Sequence, residues 1–192
     1  MEVNKAVFID KDGTIIPDIP YNVDPKLIQL SDNAAEGLKE LSDAGYKIII
    51  ISNQSGVARG FFDISALEAV QERIKMLLAE IDVVLTGFYI CPHHPEGIIA
   101  PYNINCTCRK PASGMILQAA KEHDINLDQS WMVGDILNDV EAGNKAGCKT
   151  VLINNGNETE WVTNENRKAT LIVSNINEAA NSILHFQTAT DR

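Results

Sequence analysis

Residues 6–14 read Ala6-Val7-Phe8-Ile9-Asp10-Lys11-Asp12-Gly13-Thr14, an apolar run that ends in two carboxylates two positions apart. Such a run, bounded by turn formers, reads as a strand buried on both faces, the pattern of a parallel sheet. Acids placed where the strand runs out fall on its carboxyl edge, where open α/β sheets bind ligands. Gly13 permits a sharp turn there and Thr14 adds a hydroxyl. Two acids this close repel unless a cation or a proton sits between them. A D-x-D-G stretch also occurs in calcium loops and in solvated capping turns, so the motif alone does not decide the chemistry.

Strand-like and helix-like stretches alternate through the rest of the chain. A helix over 33–44 stops at Gly45, and Lys47–Ser52 is a second buried strand. Leu67, Val70, Ile74, Leu77, Leu78 and Ile81 keep a helical period, with Ser65 as the expected cap. Further strands are expected over 83–90, 131–133, 149–153 and 170–173, and further helices over 113–122, 139–146 and 176–186. Repeated strand–helix units imply a three-layer, Rossmann-like α/β fold, with a mostly parallel central sheet and helices on both faces. The expected organisation is one domain over 1–186 without a large cap domain, followed by a frayed tail at 187–192. Two stretches interrupt the alternation, 15–30 and 91–110, and loops this long inside a compact domain are usually functional.

Sixteen basic against 26 acidic residues give a net charge of −10, which disfavours nucleic acid or an anionic membrane as partner. An anionic small substrate remains compatible if positive groups gather locally, and Lys11, Arg59, Arg109 and Lys110 all lie beside the motifs. No apolar run approaches the ~20 residues of a membrane span, and the first residues lack the apolar stretch of a secretory signal. The expectation is a cytoplasmic monomer.

Three more strand ends carry groups suited to a phosphoryl centre. Ser52-Asn53-Gln54-Ser55-Gly56 offers hydroxyls, amides and a glycine turn as donors to phosphate oxygens. Arg109-Lys110-Pro111 places a guanidinium and an ammonium before a helix, and Gly134-Asp135 with Asp139 follows the fourth strand. Taken singly, Ser52-Asn53 or Asp135 could be a helix cap and Arg109-Lys110 a solvated turn. Their joint occurrence, each at a strand-to-loop transition, favours one site.

Asp10-Lys11-Asp12-Gly13-Thr14, Ser52, Lys110 and Gly134-Asp135 with Asp139 resemble, in order, the four motifs of the haloacid dehalogenase-like phosphatase superfamily. The chain looks like its branch of histidinol-phosphate and heptose-bisphosphate phosphatases. The resemblance implies a phosphomonoester hydrolase in which Asp10 is the nucleophile, forming an aspartyl-phosphate, and Asp12 the general acid/base. It implies Mg²⁺ held by the Asp10 carboxylate, the Asp12 carbonyl and Asp135, with Ser52 and Lys110 steadying the phosphoryl oxygens.

Cys91, His93, Cys106 and Cys108 form a C-x-H…C-x-C set, with twelve residues between His93 and Cys106. Three thiolates and an imidazole suit tetrahedral zinc, and four protein ligands make that zinc structural. The expected zinc loop spans 91–109 and leads into Arg109 and Lys110. Cys148 reads as a packing thiol.

Within the branch, the Asn53–Gly60 stretch looks like that of the heptose-bisphosphate enzymes of lipopolysaccharide precursor synthesis. The implied reaction is loss of the 7-phosphate from D-glycero-D-manno-heptose 1,7-bisphosphate. Histidinol phosphate or another small sugar phosphate is the alternative substrate. A phospho-accepting receiver-like signalling domain is the alternative of a different class. Expected substrate contacts are Asp18, Tyr21, Asn53, Gln54, Ser55, Arg59 and Arg109. One residue departs from the pattern: the position after Asp135 is commonly basic in the branch, and here it is Ile136.

Overall fold

The computed structural model describes residues 4–186. The tail expected to fray, 187–192, lies outside the described residues.

Strand β1 (Lys5–Ile9) is flanked on one side by β2 (Tyr46–Asn53) and on the other by β4 (Trp131–Gly134), all parallel. Beyond β2 lies β3 (Leu85–Cys91), and beyond β4 lie β5 (Lys149–Ile153) and β6 (Leu171–Val173). The six-stranded order is β3-β2-β1-β4-β5-β6, again parallel throughout. Central position explains the unbroken apolar runs: Ala6–Ile9 and Ile48–Ile51 are covered on both faces.

Side chains alternate between two core layers, as the two-residue period of a strand requires. Val7, Ile9, Ile48 and Ile50 face one layer with helices α1 (Ala34–Asp43), α3 (Ala66–Ala79) and α6 (Ile176–Leu184). Ala6, Phe8, Ile49 and Ile51 face the other, with α4 (Gly114–Glu122) and α5 (Leu137–Ala146). Gly37 lets α1 approach α6 closely; a Cβ there would meet the backbone of Asn177. The expected three-layer architecture is present, without a cap domain among the described residues. A short helix, α2 (Gly56–Arg59), follows β2 directly. Among the described residues, no helix is long and apolar enough to cross a membrane.

Local details correct two expectations. Ser65 does not cap α3 with its side chain; its backbone N–H and hydroxyl both donate to Asp63, at 2.9 and 2.7 Å. Helix α5 begins two residues earlier than expected, which places Asp139 inside its first turn.

Candidate active site

Asp10 follows β1, and its N–H donates to Val133 of β4 at 2.9 Å, so the two strands stay zipped to their ends. Asp135 follows β4. Strand order reverses between β1 and β4, which opens a crevice at their carboxyl ends. After Asp10 the chain curls back, with Gly13 N–H on the Ile16 carbonyl and Ile16 N–H on that of Lys11. Gly13 has φ +78°, and a Cβ there would run into Asp135.

Three carboxylates converge: Asp10, Asp135 and Asp139 each offer an oxygen within 4.8 Å of the others, and all three are buried. Lys110 lies among them, its ammonium donating to Asp10 and to the Ile51 carbonyl at 2.9 Å, and lying 2.6 Å from Asp139. Burial pushes Asp10 up to about 7; Lys110 opposes the shift, while Asp139 and Asp12 add to it. Burial likewise pushes Asp135 up to about 6, with Asp10 adding to it and an Asn157 hydrogen bond opposing. For Lys110 burial acts downward, but Asp10 and Asp139 outweigh it and hold the ammonium above the ordinary lysine range. Three buried acids around one ammonium leave an excess of negative charge, which suits a divalent cation with oxygen ligands.

The same shifts set a pH dependence. Carboxyls that ionise near 6 and 7 must release protons to take up a cation, so affinity climbs as pH rises through those values. Mn²⁺ titrations of metal-free protein are expected to show at least about 100-fold tighter binding at about pH 8 than at about pH 5. An affinity flat across that range would mean that the acids are ionised before the cation arrives.

Asp12 stands apart from the three acids. Its carboxylate takes hydrogen bonds from Lys11 at 2.5 Å and from the Gln54 amide at 3.0 Å, and Gln54 also donates to the Ser52 hydroxyl at 2.7 Å. Asp12 lines two adjoining hollows, which share Asp18 and Asn53. One, of about 190 Å³, reaches Asp10, Lys110, Asp135, Ile136 and Asn157; the other, of about 290 Å³, reaches Tyr21, Gln54 and Ser55. Asp18, Tyr21, Asn53, Gln54 and Ser55 therefore line the cleft. Asn53 also has a structural contact that the sequence did not suggest: its amide brackets the Lys110 backbone, accepting from N–H and donating to C=O, both at 3.0 Å. Arg59 and Arg109 line neither hollow. Arg59 lies 3.1 Å from the His94 ring and Arg109 donates to the His93 carbonyl at 3.4 Å, so both turn toward the cysteine loop.

In that loop the Cys91, Cys106 and Cys108 sulfurs lie 3.2 to 3.5 Å apart, with His93 Nδ1 at 3.3 Å from Cys108 and 3.6 Å from Cys91. His94 Nε2 is instead beside Arg59, so the imidazole of the set is His93. Metal–sulfur bonds of about 2.3 Å place tetrahedral vertices roughly 3.7 Å apart, so these four atoms need only a slight expansion to surround zinc. The loop is anchored on α2, where the Ile98 and Ile99 N–H groups share the Ala58 carbonyl at 2.8 and 3.0 Å.

The chain resembles known proteins along most of its length. A family model described as HAD-hydrolase-like matches residues 107–179. The D-glycero-beta-D-manno-heptose-1,7-bisphosphate 7-phosphatase of Haemophilus influenzae is 44% identical over 155 residues, covering 80% of this chain and 84% of that protein. The chain belongs to this family of HAD-type phosphatases. The Haemophilus ducreyi family member is 42% identical over 173 residues, covering 89% of this chain and 93% of its own. A solved B. bronchiseptica D,D-heptose 1,7-bisphosphate phosphatase, complexed with magnesium and phosphate, superposes with a TM-score of 0.76 at 27% identity. It covers 94% of this chain, which covers 98% of it. In this member of the heptose-bisphosphate phosphatase family, the motif residues Asp10, Lys110, Asp135 and Asp139 meet at one sheet edge, with Asp12 and Ser52 linked through Gln54.

Proposed function

We propose that the chain is a magnesium-dependent phosphomonoester hydrolase that removes the 7-phosphate of D-glycero-beta-D-manno-heptose 1,7-bisphosphate through an aspartyl-phosphate. The observation that carries this reading is the convergence of Asp10, Asp135, Asp139 and Lys110 beside a cleft lined by Asp12. The names of the relatives support the substrate.

Asp10 serves as the nucleophile: its carboxylate oxygen bonds to phosphorus as the bond to the sugar oxygen breaks. Asp12 gives its proton to the departing alkoxide, then takes one from the water that splits the aspartyl-phosphate and frees Asp10. Lys110 and Ser52 hold the phosphoryl oxygens as charge develops on them. Gln54 orients Asp12 and Ser52 together. Asp10, Asp135 and the Asp12 carbonyl would hold magnesium, which when bound offsets the repulsion between Asp10 and an incoming phosphate. Cys91, His93, Cys106 and Cys108 would hold a structural zinc with no position left for substrate.

Asp18, Tyr21, Asn53, Gln54 and Ser55, which line the hollows, are the proposed sugar contacts, while Arg59 and Arg109, turned toward the cysteine loop, are assigned none. A neutral Ser55 suits an anionic sugar better than a cationic amino-alcohol. Phosphate release measured side by side should therefore give kcat/KM at least about tenfold higher for the heptose bisphosphate than for histidinol phosphate or sugar monophosphates. Preference for histidinol phosphate would overturn the substrate assignment and leave the phosphatase reading standing. A stable phosphoprotein without turnover would instead favour a receiver-like signalling role.

A further inference from the structure

The stretch Asn154-Asn155-Gly156-Asn157-Glu158 follows β5, has no place in the four motifs and is nevertheless tied to the site at three points. The Asn155 amide donates to the Gly13 carbonyl at 2.8 Å. The Asn157 amide donates to Asp135 Oδ2 at 2.6 Å. Glu158 accepts the Leu137 N–H at 2.6 Å, at the start of α5. Two features hold the side chains in this arrangement. Gly156 adopts φ +95°, which turns the chain between the two asparagines. The Asn157 N–H also closes back on Asn155 Oδ1 at 3.1 Å. On the opposite side Gly13 carries no Cβ; one there would occupy the space of both the Asn157 amide and Asp135 Oδ2.

We infer that Asn157 is a positioning residue that fixes the rotation of the Asp135 carboxylate for divalent-cation binding. The inference rests on the magnesium reading of the preceding subsection. A carboxylate free to turn about its Cβ–Cγ bond spreads its ligand oxygens over many directions, and a hydrogen bond of 2.6 Å to one of them selects one. Partners of this kind tune metal affinity by about 10- to 100-fold when removed. Asp135 is buried, whereas Asn157 is exposed, so the bond can contribute to the acid's orientation while Asn157 contributes little to the core.

The probe is Mn²⁺, titrated into the zinc-loaded protein with free ion read by electron paramagnetic resonance. Zinc stays with the thiolates, which Mn²⁺ does not displace. Asn157→Ala is expected to weaken the Mn²⁺ dissociation constant about tenfold, with zinc content and melting temperature unchanged. In turnover the variant should need about tenfold more Mg²⁺ for half-maximal rate, recover wild-type kcat when Mg²⁺ saturates, and keep the sugar-phosphate KM. A change of less than about threefold in Mn²⁺ affinity, with the wild type binding normally, would overturn the role of Asn157 alone. So would a loss of kcat that saturating Mg²⁺ does not restore. A wild-type protein that binds no Mn²⁺ would overturn the magnesium reading and this inference together.

Discussion

Asp10→Asn is expected to lower kcat for phosphate release by at least about 10⁴-fold while the protein folds and retains its zinc. The amide is nearly isosteric with the carboxyl but has no anionic oxygen to attack phosphorus. The stability side of the expectation follows from the direction of the Asp10 shift. Its carboxyl ionises near 7 in the fold against 3.8 as an ordinary aspartate, so the protonated form is the one the fold favours. The stabilising contribution of that proton is full below about pH 4 and lost as pH rises through about 7. At neutral pH, a permanently neutral Asn removes a buried, partly ionised group rather than a stabilising one. Lys110 loses one of its two acids but keeps Asp139 at 2.6 Å. The melting temperature of the zinc-loaded, magnesium-free variant should therefore stay within about 5 °C of wild type measured in the same state. Turnover above about one per cent of wild type would place the nucleophile elsewhere. A collapse in melting temperature would instead make Asp10 a structural partner of Lys110.

How much of this was legible in the chain depends on the range of the interactions. Strands β1 and β2 announce themselves because a strand covered on both faces must be apolar at every position, and Ile48–Ile51 satisfies that without ambiguity. Asp10, Asp12, Ser52 and Asp135 could be picked out because each stands where a strand ends, and Lys110 because it closes the cysteine loop just before a helix. The contacts that assemble the site are less visible. Asn155 reaches Gly13 across 142 positions, and Asn53 reaches Lys110 across 57. An exposed loop asparagine such as Asn155, or one at the very end of a strand such as Asn53, adds nothing to the apolar periodicity, so only the fold shows where its amide points. Asp139 stands in the motif, but its partnership with Lys110 depends on α5 starting at Leu137 rather than at 139. Arg59 and Arg109 show the converse: charge and proximity in sequence suggested the cleft, while packing aims both at the cysteine loop. Cys148 behaves as read, a buried thiol in the second core layer.

The cysteine loop leads to the other large expected effect. Cys106→Ser, or removal of zinc with a chelator followed by repletion of Mg²⁺ alone, should lower kcat/KM by at least about 100-fold. The reasoning starts from the cost of order: fixing backbone takes about 1–2 kcal/mol per residue, and the stretch from Cys91 to Cys108 has no regular structure after its first residue. Zinc on a four-ligand site contributes on the order of 10 kcal/mol toward such a cost, with the Ala58 anchorage supplying part of the rest. Lys110 follows Cys108 by two residues, and its backbone is held from the other side by Asn53. Release of the loop therefore loosens the one ammonium that sits between Asp10 and Asp139, along with both arginines. The first core layer, built around β1, β2, α1, α3 and α6, contains no residue of the loop, and only its cysteines reach the second, Cys91 within it and Cys106 and Cys108 at its margin. Activity should accordingly fall much further than global stability, with far-ultraviolet circular dichroism close to wild type and the melting temperature lowered but still cooperative. Metal analysis should find one zinc per chain in the wild type and none in the chelated protein. Zinc-free protein that keeps kcat/KM within twofold would show that Asn53 and the acids hold Lys110 unaided; complete unfolding would make zinc a condition of the whole fold.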